Sequence, residues 1–299
     1  LRSCVMTTGM HADELVADDE TVRRLIAEQF PQWSSLPVRR LPPLGTDNQL
    51  FRLGDDLLVR MPRIPGPAEA VAFEHTWLPR LAPHLPVTIP APVGLGEPGD
   101  GFPWPWTVVP WIEGSTPTES SYDPEEWGAE LGAFVRACRA VPGMDGPVVT
   151  EGRGGPLPAL DAWVRDWTDK ADTTAVSRDA VLAVWEDALA APAYDGEPCW
   201  FHGDLHDGNI LVRDGHLAAV IDWGAAGRGD PAIELNALWG YVPPAAAEPY
   251  REAVGLDEAA YRRARGFALA PAISGWTYYR DTAPETSQGA LETVRRLIA

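Results

Sequence analysis

The sequence predicts an α+β fold in two lobes, a β-rich first lobe and a mainly helical second one. Three observations carry this expectation. Short apolar runs, separated by Gly- and Pro-containing turns, crowd the first third of the chain. After Trp111-Ile112-Glu113-Gly114 the texture changes to longer segments with apolar residues at helical spacing. Within the helical part, two short strand-like runs flank Asp214-Gly215. The division gives lobes of residues 1–112 and 113–299, with a ligand cleft expected between them.

The elements follow in order. Residues 19–30 form a helix, with Asp19 and Glu20 in its first turn and Val22, Leu25, Ile26 and Phe30 on one face. Strands follow at 37–41, 48–53 and 57–61, the last two joined by the hairpin turn Gly54-Asp55-Asp56. A helix over 67–81 carries Glu74, Trp77 and Leu78, and strands at 93–95 and 106–109 complete the lobe. Trp104, Trp106 and Trp111 are expected to pack at the lobe boundary. Helices are expected at 124–140, 157–170, 178–190 and 231–241 and in three later segments, with strands at 210–213 and 217–221.

Composition sets bounds. The 299 residues suit one large domain or two lobes, and 45% hydrophobic with 22% charged residues is ordinary for a globular chain. A net charge of -19 disfavours nucleic acid and anionic membranes as partners and is compatible with a cationic small molecule. Solubility alone also accounts for it. Cys4, Cys138 and Cys199 share no metal-ligand spacing, which fits reduced thiols and a cytoplasmic location. No apolar run approaches the ~18 residues of a membrane span. Roughly the first 15 residues read as an extension, too weakly apolar for a signal peptide.

The chemistry concentrates in Phe201-His202-Gly203-Asp204-Leu205-His206-Asp207-Gly208-Asn209, followed by Ile221-Asp222-Trp223-Gly224. An aspartate, an asparagine five residues later and an aspartate at the end of the next apolar run form the pattern phosphoryl transfer needs. One carboxylate positions and deprotonates a hydroxyl, and two hard oxygen donors hold Mg²⁺ on a nucleotide. His202 reads as a buried residue that orients the loop backbone. Two other readings stay open on the residues alone. One is a polar turn between strands. The other is a metal-dependent hydrolase site built on His202, Asp204, His206 and Asp207, which lacks further ligands in a recognisable pattern.

These segments resemble those of the aminoglycoside phosphotransferase family, small-molecule kinases with a protein-kinase-like fold. The resemblance runs from about residue 20 to the end. It implies that Asp204 is the catalytic aspartate, that Asn209 and Asp222 hold Mg²⁺, and that ATP or GTP is the phosphate donor. It also implies that Gly229-Asp230-Pro231 is a structural element in which Asp230 caps the next helix. Where the family has a strand lysine paired with a helical glutamate, this chain has Arg60 and Glu74. Lys170 is its only lysine. Arg63 is a weaker candidate for the same role. Thr46, in Gly45-Thr46-Asp47-Asn48, stands where a phosphate-covering loop is expected. Val109-Pro110-Trp111-Ile112 resembles the hinge that reads the base, through the Pro110 carbonyl and the Ile112 N–H.

Asp161, Asp166, Glu234, Trp239, Tyr278 and Asp281 are candidates for contacting the acceptor. Carboxylates and ring faces suit a cationic one. The expected activity is Mg²⁺-dependent O-phosphorylation of a hydroxyl-bearing small molecule, with an antibiotic such as an aminoglycoside or macrolide first. A metabolic kinase for choline, a sugar or an amino-acid alcohol is the alternative, followed by a nucleotide-binding protein without catalysis. Nothing in the sequence demands an oligomer, so a monomer is the expectation.

Overall fold

The computed structural model describes residues 15–42, 47–142, 145–172 and 174–299, which fall into two compact units. The first unit comprises the described residues up to Pro83, Thr88–Glu113 and the returning segment Ala219–Gly224. It opens with α1 (Asp19–Gln29), whose N-cap Asp18 accepts a hydrogen bond from the Thr21 N–H at 2.7 Å. Five strands follow: β1 (Val38–Arg40), β2 (Asn48–Leu53), β3 (Leu57–Pro62), β4 (Gly94–Gly96) and β5 (Trp106–Pro110). They form one antiparallel sheet in the order β1-β2-β3-β5-β4.

Burial alternates strictly along β2, where Gln49, Phe51 and Leu53 point inward. Phe51, Leu53, Val59, Met61 and Val108 meet Leu25 and Ile26 of α1 and Trp106 in the unit's core. Of the three neighbouring tryptophans, Trp106 lies in this core and Trp104 packs against it. Trp106 packs edge-on against Phe30 and Trp104 against Phe102, while Trp111 lies under the Arg52 guanidinium at 3.7 Å. Helix α2 (Pro65–Leu81) starts two residues before the expected 67 and packs against β3 and β5. Proline is tolerated in that first turn because the N–H groups there have no intrahelical acceptor.

The second unit holds His84–Val87, Gly114–Ala218 and Ala225–Ala299. Its helices are α3 (Pro124–Ala140), α4 (Asp161–Lys170), α5 (Arg178–Ala190), α6 (Ala237–Gly240), α7 (Pro244–Val254), α8 (Glu258–Tyr278) and α9 (Pro284–Ile298). α3 packs on α7, and α8 packs on α9, α5 and α4. Leu131, Phe134, Tyr250, Phe267, Ile273 and Val294 are among the residues these contacts bury. Two ribbons complete the elements. β7 (Ile210–Arg213) pairs with β8 (His216–Val220), and β6 (Cys199–Phe201) pairs with β9 (Gly227–Gly229). The expected helix over 231–241 is a 3₁₀ turn, Pro231–Asn236, running into α6. The segment is tightened where Asp230 and Glu234 are tied to other loops. None of the described helices is long and apolar enough to cross a membrane.

Candidate active site

Asp204 sits in a loop between β6 and β7 whose backbone is held at nearly every position. Gly203 adopts φ +80°, and a Cβ there would lie 2.7 Å from the Ala225 carbonyl oxygen, so glycine is required. The N–H groups of His202 and Gly203 both donate to Glu234 Oε1, the second at 3.0 Å. His202 is fully buried and its Nδ1 accepts from the Asp204 N–H at 3.2 Å. His206 Nδ1 accepts from the Gly208 N–H at 3.1 Å, which leaves the ring proton on Nε2, 3.8 Å from Asp204 Oδ2. Asp207 Oδ1 accepts from the Thr118 N–H at 3.0 Å. The loop is thus fixed by its neighbours, while the Asp204 side chain remains 35% exposed at its crest.

Asn209 is 5% exposed and donates through Nδ2 to the Asp204 carbonyl at 2.9 Å. A carbonyl accepts only from the amide nitrogen, so this bond assigns the carboxamide and turns Oδ1 the other way as a hard oxygen donor. The carboxylate of Asp204 has a further partner that no motif indicated. Arg153 Nη1 hydrogen-bonds Asp204 Oδ1.

Within the first unit a second constellation forms. Arg60 on β3 pairs with Glu74 on α2 at 2.5 Å, and its other terminal nitrogen lies 3.8 Å from Asp222 Oδ1. Burial opposes the Arg60 charge, but the Glu74 and Asp222 carboxylates outweigh it and raise the guanidinium pKa. Burial also raises the Glu74 pKa, and Arg60 draws it part of the way back. Asp222 follows β8 with a left-handed backbone, φ +61°, and its side chain is 46% exposed. Such strain in a non-glycine residue is typical of functional positions. An exposed carboxylate and a carboxamide oxygen are the ligand types Mg²⁺ prefers, so the donor chemistry of Asp222 and Asn209 fits that ion. Arg63, by contrast, donates to the Asn48 carbonyl at 3.1 Å.

Pro110 ends β5 opposite Leu57, and the Trp111 N–H donates to the Asp56 carbonyl at 2.8 Å. On the other edge, β4 pairs with β5 only as far as Val108. The Leu57 pairing and the Trp111 bond to Asp56 therefore turn the Pro110 carbonyl away from β3. Thr46 lies outside the described residues.

The acceptor candidates separate. Glu234 is 1% exposed and lines no open surface, because its carboxylate serves the loop backbone. Burial pushes its pKa up to about 7 against the pull of the two N–H donors, and the Asp204 charge adds to the rise. Trp239 is buried against Tyr261. Asp161 accepts from Arg165 Nε at 2.8 Å and Trp185 Nε1 at 2.7 Å, which makes it part of the α4–α5 packing. Asp166 pairs with Lys170, Tyr278 is exposed against Trp167, and Asp281 is exposed. Asp230 is a cap, its Oδ1 accepting from the Ala232 N–H at 3.0 Å and its carboxylate gripped by Arg263 at 2.6 and 3.1 Å.

Known structures share this fold. The GDP complex of wild-type aminoglycoside 2'-phosphotransferase-IIIa superposes with a TM-score of 0.73 at 19% identity, over 94% of this chain and 99% of that one. The GDP and kanamycin complex of APH(2")-IIia gives 0.71 at 20%, over 92% and 97%. Macrolide 2'-phosphotransferase MphH from Brachybacterium faecium gives 0.62 at 21%, over 93% and 97%. No curated protein sequence matches the chain. Residues 38–267, which include Arg60, Glu74, Asp204, Asn209 and Asp222, match the phosphotransferase enzyme family, and the chain belongs to that family.

Proposed function

We propose that the protein transfers the γ-phosphoryl group of ATP or GTP to a hydroxyl of a small molecule, an antibiotic or related natural product. The observation that carries this reading is the partly exposed Asp204 carboxylate on a loop anchored through His202, Gly203, Gly208 and Asn209. Preorganised placement of this kind is the main contribution a protein makes to phosphoryl transfer. Similar folds solved with GDP, and in one case with kanamycin, support a nucleotide donor and an antibiotic acceptor.

In this reading Asp204 orients the acceptor hydroxyl and takes its proton. Asn209 Oδ1 and the Asp222 carboxylate hold Mg²⁺, which when bound neutralises phosphate charge. Arg60, kept in place by Glu74, addresses the nucleotide phosphates through its planar fork. The Pro110 carbonyl and Ile112 N–H read the base. Asp166, Tyr278 and Asp281 are the acceptor candidates left with exposed side chains. A cytoplasmic monomer is the working state.

Mass spectrometry of wild type and Asp204→Asn tests the reading, with Mg²⁺ and ATP or GTP, against kanamycin, macrolides, choline and sugars. The expected result is one added phosphate with wild type alone. Equal product from Asp204→Asn would remove Asp204 from the chemistry. Failure of wild type to bind either nucleotide would sink the reading.

A further inference from the structure

Arg153 lies in a segment that no motif marks, yet the chain fixes it in place from both sides. The Val149 N–H donates to the Arg228 carbonyl at 2.8 Å, and the Arg228 N–H donates back to Pro147 at 3.0 Å. Beyond the arginine, the Asp230 N–H donates to the Gly154 carbonyl at 2.9 Å. Gly152 and Gly154 bracket Arg153 with φ +77° and +78°, a backbone that side chains seldom adopt. A Cβ at Gly154 would lie 2.4 Å from the Phe201 ring. The turn is therefore seated on β6 and β9 and presents one side chain outward.

That side chain donates to Asp204 Oδ1. The other carboxylate oxygen, Oδ2, faces Asn209 Nδ2 at 3.5 Å and His206 Nε2 at 3.8 Å. Arg153 is 47% exposed, and a half-exposed ion pair adds little to stability. The contact between Arg153 and Asp204 thus calls for a role other than stability. Phosphoryl transfer supplies one, since negative charge spreads over the equatorial oxygens of the group in transit. A guanidinium in contact with the carboxylate that receives the hydroxyl proton stands beside the point where the new O–P bond forms. Its planar array of five donors serves a carboxylate and a phosphoryl group at once.

We infer that Arg153 is a further catalytic residue, which pairs with Asp204 before the acceptor arrives and then donates to the phosphoryl group in transit. The inference rests on the phosphoryl-transfer reading above. In the step, the acceptor O–H bond breaks and its proton passes to Asp204. The acceptor oxygen bonds to the γ-phosphorus, the bond from that phosphorus to the β,γ-bridging oxygen breaks, and the nucleoside diphosphate leaves with that electron pair. Arg153 stays protonated throughout.

The test uses metal fluoride in place of the moving phosphoryl group, so no acceptor need be known. Calorimetry would measure Mg·ADP and Mg·GDP binding with and without aluminium fluoride, in wild type, Arg153→Ala and the same-length Arg153→Gln. Wild type should bind at least one diphosphate more tightly when fluoride is present. Both variants should keep diphosphate affinity within about twofold and lose about a hundredfold or more of the fluoride-dependent gain. Added guanidinium should restore part of it in Arg153→Ala, which a merely structural role would not show. Arg153→Gln carries the test if truncation to alanine lowers stability. A full fluoride-dependent gain in both variants, or no gain in wild type, overturns the inference and leaves phosphoryl transfer standing. No nucleotide binding by wild type overturns the phosphoryl-transfer reading, and the inference with it.

Discussion

Glu234 Oε1 accepts the Gly203 N–H at 3.0 Å and the neighbouring His202 N–H as well, so one buried carboxyl holds the strand end that leads into Asp204. Its other oxygen has no hydrogen-bond partner among the described residues. The pKa of about 7 gives this contact a pH signature. An unfolded Glu titrates near 4.3. Between those values the unfolded chain has lost the proton that the folded chain still holds, so stability falls as pH rises through this window. Over the full window the fall is about 4 kcal/mol. Glu234→Gln keeps an oxygen for the two N–H donors and removes the titration. Urea unfolding from pH 5 to pH 8 should show a shallower decline for the variant. Parallel curves would refute the assignment.

Arg60 and Glu74 are buried together, with 12% and 3% of their side chains exposed. Removing one partner leaves a buried carboxyl without its counter-charge. Arg60→Ala should cost about 3 kcal/mol or more in a denaturant titration and weaken nucleotide binding. Arg60→Lys keeps one charge but cannot span Glu74 and Asp222 with one ammonium, so its stability should fall between the two. A stable Arg60→Ala protein with unchanged nucleotide affinity would refute this account.

Asp222 is predicted to act through Mg²⁺. Asparagine tolerates the left-handed backbone at this position, so Asp222→Asn tests the charge without adding strain. The Kd for Mg-nucleotide should rise about tenfold or more, while binding in EDTA should change little. Equal losses with and without metal would point to a direct role in holding the nucleotide.

Arg263 and Asp230 form a buried bidentate pair, and the Asp230 N–H also supports the turn that carries Arg153. Arg263→Ala would strand the Asp230 carboxylate and should lower stability by about 3–5 kcal/mol. Hydrogen exchange should then quicken at Asp230 and in the 147–155 turn. Unchanged exchange there would show that the pair does not brace the turn.

Much was legible in the chain itself. The alternating burial of β2, the hairpin at Gly54 and the helical spacing of α1, α3 and α5 are local patterns, written in residues that touch near neighbours. The order of Asp204, Asn209 and Asp222 was equally plain, because chemistry requires particular residue types at short spacing. β6 and β9 were not visible. Three residues such as Gly227-Arg228-Gly229 have no strand preference of their own, and only the pairing of Cys199 with Gly229 makes them a ribbon.

The sequence alone determined the fold class, the family and the residue types of the site. Only the tertiary structure decided that Ala219–Gly224 returns to the first unit with Asp222, that Glu234 serves the loop backbone, and that Arg153 rests on Asp204. The physical reason is range. Propensity, spacing and turn chemistry act within a few residues, whereas Glu234 and Arg153 gain their roles from contacts 31 and 51 positions away in the chain. A carboxyl looks the same in sequence whether it faces water or buries itself against two backbone N–H groups, and only the fold sets which of these it does.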